Sequence, residues 1–500
     1  MIPFLAKSSR GVESTGGLPL IPRSLRLRFS HVTAWTIAIL FLPSLARIAV
    51  QAESPQRPNI VLILADDLGY GDVGFNGCAD IPTPNIDSLA RDGVRFANGY
   101  SSHPFCSPMR AGLMTAKYQH RFGYVNNVAF DPHNQLMGLP TDQPTVAKRL
   151  SQAGYRTGMV GKWHLGAAAP FHPLRRGFDF FYGFLGGGHD YFQVDTTVQL
   201  HENYKAALDD NGKPAAFDGY LTEVLTDKAL GFLQSADERP YFLYVAYNAP
   251  HGPLQAPEEE IAKFDSIKNR KRRIYAAMVS VMDQQIGRLL AALRDRGETE
   301  NTLVMFLSDN GGPEHANASD NGPLRGQKGD VYEGGIHVPF VMCMPGTLPA
   351  GTVFSSPVLS IDLAQTALDL AGAPSESSTD GVNLMPFVLD SESAPPHDAL
   401  FWRTAGDRKL AVRRGDHKLV MLDGDHELYD LTGDLEESRD LSGSDPQTVQ
   451  RLQRSFESWN RRNQPAFFPG YRDYHQRLKE FHQQLREEAR ETDSRYELAE

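Results

Sequence analysis

The most regular feature of the chain is a series of short apolar runs, each of which stops at a cluster of polar residues. The first run covers residues 60–65, and later runs cover 155–161, 240–247, 301–307 and 336–342. Uninterrupted runs of Val, Ile, Leu and Phe of this length indicate strands that are buried on both faces, as in a parallel sheet. The pattern therefore predicts the core of an α/β domain.

Amphipathic segments with a helical period separate these strands. They cover residues 84–93, 145–153, 221–233 and 275–296. The alternation predicts a large, mixed and mostly parallel sheet flanked by helices. The Gly-rich, aromatic stretch 180–192 and the polar region up to residue 219 are interpreted as a loop and an insertion, in which His189 and Asp190 are either substrate contacts or ordinary surface residues.

The pattern changes near residue 394, where apolar and polar positions alternate over short segments. Four such segments between residues 400 and 430 are separated by Gly and Asp turns, which predicts a small antiparallel sheet, and a helix over 449–460 follows. We therefore predict a catalytic domain at 53–393 and a smaller C-terminal α+β subdomain at 394–470. The charged tail at 471–500 is predicted to be a surface helix or to fray.

The N-terminus has the pattern of an export signal. Three arginines between positions 23 and 28 precede an apolar run over 32–45, and Ala52 offers a small residue at a cleavage point. This run is shorter than the ~20 residues that span a bilayer, so residues 1–52 are predicted to be a signal peptide, with a signal anchor as the alternative. The mature protein is predicted to be periplasmic or secreted, without stable membrane insertion.

Charge and cysteine content narrow the classes of function. A formal net charge of −11 over 500 residues argues against a nucleic-acid-binding protein. Cys78, Cys106 and Cys343 are too few for a disulfide framework. An anionic substrate would have to be bound by a local cluster of cations, against the sign of the net charge.

Polar residues follow directly after several of the predicted strands. They are Asp66 and Asp67, Lys162 and His164, His251, and Asp309 and Asn310, with Lys328 on a later Gly-rich loop. Because the carboxyl ends of parallel strands form the edge where ligands bind, these side chains are expected to surround one crevice. The oxygen-bearing residues predict a hard divalent cation, and the cationic residues predict transfer of an anionic group. Each set taken singly also fits a helix cap, a turn or a surface charge.

Cys106 lies where a loop turns into a helix. Pro104 ends the preceding segment, Pro108 suits the first turn of a helix, and Arg110 lies one turn further on. Free N–H groups at a helix N-terminus favour negative charge, so Cys106 is expected to have a lowered pKa and an exposed, reactive sulfur. The alternative is a small, buried apolar residue.

These motifs resemble those of the type I sulfatases, a family of the alkaline-phosphatase superfamily. The matching positions of the pattern Cys-x-Pro-x-Arg-x-x-Leu-x-Thr are Cys106, Pro108, Arg110, Leu113 and Thr115. Two further motifs of the resemblance, which spans 58–440, lie at 161–166 and 427–431. The chain departs from the family at Ala116 and Lys117, where Gly-Arg is usual. The whole is similar to arylsulfatase-A-like and N-acetylgalactosamine-6-sulfatase-like enzymes and implies an alkaline-phosphatase-like fold.

The resemblance also implies the chemistry of the site. Cys106 would be oxidised to formylglycine by a formylglycine-generating maturation enzyme, and the aldehyde hydrate would attack sulfur. One Ca²⁺ per chain, with Mg²⁺ as the alternative, would be bound by the formylglycine at 106 and by four further residues. These are Asp66, Asp67, Asp309 and Asn310.

The remaining residues would act on the nucleophile and the sulfate group, as the resemblance implies. Arg110 and Lys162 would hold the nucleophile and the sulfate, and His164 would take the proton of the hydrate when sulfate is expelled. His251 and Lys328 would contact the sulfate, and His251 would protonate the leaving alcohol.

The predicted function is therefore the hydrolysis of sulfate esters. Sulfated carbohydrates are the expected substrates, and aryl sulfates are the second choice. One alternative is a phosphatase or phosphonate monoester hydrolase built on the same scaffold. The other is an inactive homologue that binds sulfated sugars without cleaving them.

Overall fold

The structure is a computed structural model, and it describes residues 57–197, 204–235, 237–374, 378–392 and 394–492. The predicted signal peptide at 1–52 lies outside these residues. Within the described ranges, every helix is too short or too polar to cross a membrane.

A ten-stranded mixed sheet forms the core, and a two-stranded and a four-stranded sheet accompany it. The strands have the following bounds: β1 (Asn59–Ala65), β2 (Val94–Phe96), β3 (Gly99–Tyr100), β4 (Arg156–Lys162), β5 (Phe180–Phe184), β6 (Leu208–Asp210), β7 (Lys213–Ala215), β8 (Tyr241–Ala246), β9 (Thr302–Ser308), β10 (Phe340–Cys343), β11 (Thr352–Phe354), β12 (Val358–Leu359), β13 (Leu400–Arg403), β14 (Lys409–Arg414), β15 (His417–Leu422) and β16 (Asp425–Asp430). The order in the large sheet is β11-β2-β10-β9-β1-β8-β4-β5-β6-β7. The five neighbouring strands β9, β1, β8, β4 and β5 run parallel. The predicted mixed, mostly parallel sheet is confirmed.

Both faces of the central strands are buried, as their apolar runs predict. Along β1, Ile60, Leu62 and Leu64 belong to one hydrophobic cluster, whereas Val61 and Ile63 belong to the cluster on the opposite face. Burying side chains of this size stabilises the fold by about 1.5–3 kcal/mol each. The helices that supply the covering layers have these bounds: α1 (Pro84–Asp92), α2 (Cys106–Thr115), α3 (Val146–Gln152), α4 (Leu221–Gln234), α5 (Glu258–Ala262), α6 (Arg270–Asp295), α7 (Glu314–Asn317), α8 (Glu333–Ile336), α9 (Ser360–Leu370), α10 (Met385–Val388), α11 (Pro446–Asn460) and α12 (Tyr471–Thr492).

The predicted loop at 180–192 is wrong in its first part, because Phe180–Phe184 forms strand β5 of the large sheet. β5 pairs in parallel with β4 over five residues. A Cβ on Gly183 would lie only 2.0 Å from the Gly161 carbonyl oxygen, so glycine allows the two strands to pair. The predicted insertion likewise contains the hairpin β6–β7, which extends the edge of the sheet.

Some predicted boundaries move for local reasons. The strand predicted at 336–342 begins at Phe340, because Glu333–Ile336 forms the short helix α8. The helix predicted from residue 275 begins at Arg270, where the Asn269 side chain accepts hydrogen bonds from the first backbone N–H groups. Helix α9, which the sequence analysis did not predict, packs beside α2.

The small antiparallel sheet near the C-terminus is confirmed, with the order β13-β14-β15-β16. The first 22 residues of the charged tail form helix α12. The proposed domain boundaries at 393 and 470 stay predictions.

A buried ion cluster joins this small sheet to helix α8. Lys418 on β15 places Nζ 2.8 Å from a carboxylate oxygen of Glu333 and 2.8 Å from one of Glu437. Glu333 also accepts hydrogen bonds from Tyr100 and faces His337 Nδ1 at 2.9 Å. Because α8 directly follows the loop that carries Lys328, the cluster fixes that loop against the small sheet.

Candidate active site

The acidic residues meet because their strands are neighbours in register. Ala65 pairs with Ser308 at the ends of β1 and β9, so Asp66 and Asp309 follow side by side. The Asp309 N–H donates to the Ala65 carbonyl at 3.0 Å, and the Asp67 N–H donates to an Asp309 carboxylate oxygen at 3.2 Å. Asp67 has φ +65°, in the left-handed region that Asp tolerates better than most residues.

Helix α2 carries Cys106 in its first turn, as predicted, but the thiol is not exposed. Only 1% of Cys106 is accessible, and burial together with the Asp309 charge raises the pKa of the thiol to about 12 against the pull of Lys162 and Lys328. The expected lowered pKa and exposed sulfur are therefore wrong for the unmodified cysteine. The helix N-terminus is present, yet desolvation and the nearby carboxylates outweigh it.

Arg110, one turn along α2, reaches back to the acidic residues. Its Nη2 lies 2.8 Å from Asp309 Oδ2 and 3.6 Å from Asp66 Oδ2, and its Nη1 donates to the Lys162 carbonyl at 2.9 Å. Burial disfavours its charge, but Tyr244 and the two carboxylates outweigh burial and raise its pKa. The guanidinium thus stays charged in the interior.

Lys162 ends β4, and His164 follows it. Lys162 Nζ lies 2.5 Å from Asp66 Oδ2. Although burial alone would raise the pKa of Asp66, Lys162, His251 and Arg110 together lower it.

His164 is held as a neutral imidazole. Burial, with Lys162 and Arg110 nearby, puts its pKa well below the usual range. Its Nδ1 is buried without a hydrogen-bond partner among the described residues. A Cβ on Gly187 would lie 2.9 Å from its Nε2, so the Gly-rich stretch leaves room for this ring.

His251 and Lys328 complete the group. Lys328 Nζ lies 2.6 Å from Asp67 Oδ1 and 3.1 Å from Cys106 Sγ, and its pKa is raised because these neighbours outweigh burial. His251 Nε2 lies 3.7 Å from Asp67 Oδ2, and burial lowers its pKa. Cys106, His164, His251 and Lys328 all line one cavity of about 1040 Å³.

The oxygen-bearing residues fit a metal ion. Ligand atoms of Asp66, Asp67, Cys106 and Asp309 lie within 4.8 Å of one another, and all four residues are buried. The side-chain oxygen of Asn310 is buried and has no hydrogen-bond partner in the described chain, which leaves it available as a ligand. Burial and the Asp66 charge raise the pKa of Asp309 to about 6, so a bound cation would relieve the repulsion between these carboxylates.

Two candidate substrate contacts have structural surroundings instead. Both ring nitrogens of His189 lie within 2.8 Å of backbone carbonyl oxygens. The Asp190 carboxylate accepts from the Phe192 and Gln193 N–H groups and from Gln255. Both residues are buried, so they shape the loop rather than face the cavity as surface groups.

Residues that the sequence analysis did not single out also surround the site. Trp402 of the small sheet donates from Nε1 to the Ser101 carbonyl at 2.8 Å, just ahead of Cys106. Lys409 donates to the Gly329 carbonyl at 3.0 Å, next to Lys328. Part of helix α12 lines the cavity. No local motif marks these residues, because they reach the site only through tertiary packing.

Comparisons with known proteins agree with this site. The sulfatase family matches residues 58–373. The chain belongs to the sulfatase family. The C-terminal region of N-sulphoglucosamine sulphohydrolase matches residues 327–461, which include the small sheet of this sulfatase. The predicted family is thus confirmed, and the protein is a sulfuric ester hydrolase.

Named relatives extend over most of the chain. The sulfatase is 35% identical to mouse (Mus musculus) N-acetylgalactosamine-6-sulfatase over 384 residues, which are 72% of this chain and 71% of that protein. It is 38% identical to mouse arylsulfatase J over 356 residues, 69% of this chain and 58% of that protein. The crystal structure of Ps i-CgsB in complex with k-i-k-neocarrahexaose covers 82% of this chain and 94% of its own, with a TM-score of 0.78 and 40% identity.

Proposed function

We propose that this sulfatase hydrolyses sulfate esters of carbohydrates, with a formylglycine made from Cys106 as the nucleophile. The observation that carries the proposal is the convergence of carboxylates and cations around the buried Cys106, which lines one cavity. Relatives named for a sulfated sugar and for aryl sulfates, and a similar structure solved with an oligosaccharide, support carbohydrate substrates ahead of simple aryl sulfates.

The charge balance of the site favours an anionic substrate. Three carboxylates face three cations, and these residues are Asp66, Asp67, Asp309, Arg110, Lys162 and Lys328. A divalent cation would leave about two positive charges in excess at a low-dielectric site. A sulfate ester would therefore be bound although the whole chain carries a net charge of −11.

The metal ion that we propose is Ca²⁺, with Mg²⁺ as the alternative. Asp66, Asp67, Asp309 and Asn310 would hold it, together with the formylglycine at 106, since hard cations prefer oxygen ligands. The bound ion would supply Lewis-acid stabilisation of the negative charge that develops on oxygen.

The chain's own residues would bind the sulfate and move protons. Arg110 and Lys162, which are held at the acidic residues beside Cys106, would hold the nucleophile and the sulfate oxygens, and Lys328, beside Cys106 Sγ, would contact the same group. His251 would donate its proton to the leaving alcohol oxygen. His164, neutral and with Nδ1 unpartnered, would accept the proton of the residue-106 hydroxyl when sulfate leaves.

The decisive experiment combines mass spectrometry with turnover. Protein made together with a formylglycine-generating enzyme should give a residue-106 peptide about 18 Da lighter than the cysteine form. Cys106→Ala should abolish turnover of 4-nitrophenyl sulfate and of sulfated sugars, whereas Cys343→Ala, at the other buried cysteine, should retain it. Normal turnover by Cys106→Ala would refute the covalent mechanism.

The same samples distinguish the two alternative functions. A phosphatase or phosphonate monoester hydrolase would prefer phosphoryl esters, with or without the modification. An inactive homologue would bind sulfated sugars, keep an unmodified thiol and turn nothing over. Ala116 and Lys117 would then be the residues to change to Gly-Arg, since they depart from the usual recognition sequence.

We also propose that the protein is exported, with residues 1–52 as its signal peptide. Expression of the full chain should yield a periplasmic or secreted form whose N-terminus, read by sequencing, begins near residue 53. A form that keeps residues 1–52 and stays with the membrane fraction would favour the signal anchor.

A further inference from the structure

Helix α12 is fixed against the segment that follows the nucleophile helix. The Tyr474 hydroxyl donates to the Asp131 carboxylate. Phe468 lies just ahead of α12 in the chain. Its carbonyl accepts a hydrogen bond from Asn126 at 2.9 Å, and its ring packs edge-on against Tyr124. The N-terminal half of α12 therefore has a defined place at the active-site cavity.

The first two turns of α12 border that cavity, since seven of the eight residues from Arg472 to Lys479 line it. Arg472, His475, Gln476 and Lys479 line it, and their spacing of three, four and seven residues puts them on one side of a helix. Arg472 and Lys479 are exposed. In the part of the chain that the structure describes, no carboxylate forms an ion pair with either of them.

Other charges at the cavity are engaged already. Arg408 pairs with Asp423 at 3.0 Å, and Lys409 pairs with Asp330 at 2.6 Å. Asp131 accepts the Tyr474 hydroxyl and two backbone N–H groups. Asp473 on α12 also lines the cavity and offsets one of the positive charges. Among the described residues that line the cavity, Arg472 and Lys479 are thus the Arg and Lys side chains that form no ion pair.

The cavity is larger than one sugar unit requires. Its volume of about 1040 Å³ is at the top of the ~300–1,000 Å³ that accommodates a whole drug-sized ligand. Cys106 and residues of α12 both contribute to its lining. A sugar whose ester lies at Cys106 would leave room for at least one neighbouring unit.

We infer that Arg472 and Lys479 bind an anionic group, a second sulfate or a carboxylate, on a sugar unit next to the one that is desulfated. The preferred substrates are then oligosaccharides or polysaccharides that carry several anionic groups. This inference rests on the proposed function, and it makes Arg472 and Lys479 specificity-determining residues.

The test compares paired substrates that differ by one anionic group. These are carrageenan- and glycosaminoglycan-derived disaccharides, each in monosulfated and disulfated form, with 4-nitrophenyl sulfate as a substrate that has neither a neighbouring sugar nor a second anionic group. In the double variant Arg472→Gln/Lys479→Gln, kcat/KM on a preferred disulfated substrate should fall about fivefold to twentyfold, mainly through KM. On 4-nitrophenyl sulfate it should change less than twofold. The parent's preference should weaken with added salt and the variant's should not.

Arg477→Gln is the matched control, because Arg477 is exposed on the same helix and does not line the cavity. It should leave both kinds of substrate unaffected. Equal loss on all substrates, or no loss on the disulfated ones, would overturn the inference even where 4-nitrophenyl sulfate is hydrolysed normally.

A binding measurement separates this inference from the proposed function. Calorimetric titration of the same disaccharides into protein with Cys106→Ala, with and without the α12 changes, needs no turnover. Weaker binding of only the disulfated sugars supports the α12 subsite, and identical binding refutes it. Absence of any sulfate-ester turnover by the matured parent refutes the proposed function instead.

Discussion

Replacing Lys418 by methionine should destabilise the protein strongly, because the change leaves two buried carboxylates without their cation. Lys418 contacts Glu333 and Glu437 at 2.8 Å each, and none of the three side chains is exposed. Removing one partner of a buried ion pair costs about 3–5 kcal/mol. We expect the free energy of unfolding of Lys418→Met to fall by that amount at pH 7, or about 3–5 °C in Tm for a unit of this size.

The loss should shrink on acidification. Burial raises the pKa of Glu437 to about 7 even beside Lys418, and Glu333 resists the same effect of burial mainly because of Lys418. Without the lysine, both carboxyls should bind protons more tightly in the folded protein than in the unfolded chain. Such groups stabilise the fold at pH values below their unfolded pKa, and this contribution is lost as the pH rises through the folded pKa. The variant should therefore approach the parent's stability near pH 5 and differ most above pH 7.

Urea unfolding followed by tryptophan fluorescence at pH 5, 7 and 8 measures both effects. Lys263→Met is the control, because Lys263 is exposed and pairs with Glu260 on the surface, so its loss should cost less than about 1 kcal/mol. The triple variant Glu333→Gln/Lys418→Met/Glu437→Gln should recover most of the stability, since neither of the two carboxylates is left buried without Lys418. The reasoning fails if Lys418→Met is as stable as Lys263→Met, or if its loss is the same at every pH.

Two further predictions concern the metal site and a buried histidine. Asp309→Asn should lower the divalent-metal content of purified protein and its activity together, as measured by mass spectrometry of the metal and by turnover; full metal content would remove Asp309 from the ligand set. His397 Nε2 lies 2.9 Å from the Asp362 carboxylate, which outweighs burial and raises the pKa of His397. The stability from this pair is present below about pH 6.5 and is lost as the pH rises through the folded pKa. The parent should therefore lose more stability than His397→Gln between pH 6 and 9 in urea unfolding, and parallel curves would contradict this.

The parts of the site that could be predicted from the sequence are those fixed by strand ends. Asp66 and Asp309 follow short apolar runs that are typical of buried parallel strands, so their meeting at one edge follows from the topology. The reach of Arg110 back towards Cys106 follows likewise from the helical turn. In these cases a local pattern determines the position of the side chain.

The remainder depends on contacts between residues far apart in sequence. The pKa of Cys106 depends on how deeply it is buried, which the helix N-terminus alone does not indicate. Strand β5 looks like a loop because of its glycine, and only the approach of Gly161 shows why glycine is needed there. Apolar residues at positions 471, 474, 478 and 481 recur at helical spacing and indicate the helix α12, but its place at the cavity depends on Tyr474 reaching Asp131.

The burial of Cys106 has a consequence for the timing of its proposed conversion. An enzyme that modifies this thiol can reach it only before the chain has folded, since only 1% of the residue is accessible after folding. Residues that lie against it are made late: Asp309 is made roughly 200 positions after Cys106, and Lys328, 3.1 Å from its Sγ, later still. At about 5–20 residues per second, synthesis leaves Cys106 uncovered for about 10–40 s before Asp309 exists. The order of these residues along the chain would thus leave Cys106 accessible to modification during synthesis and bury it afterwards.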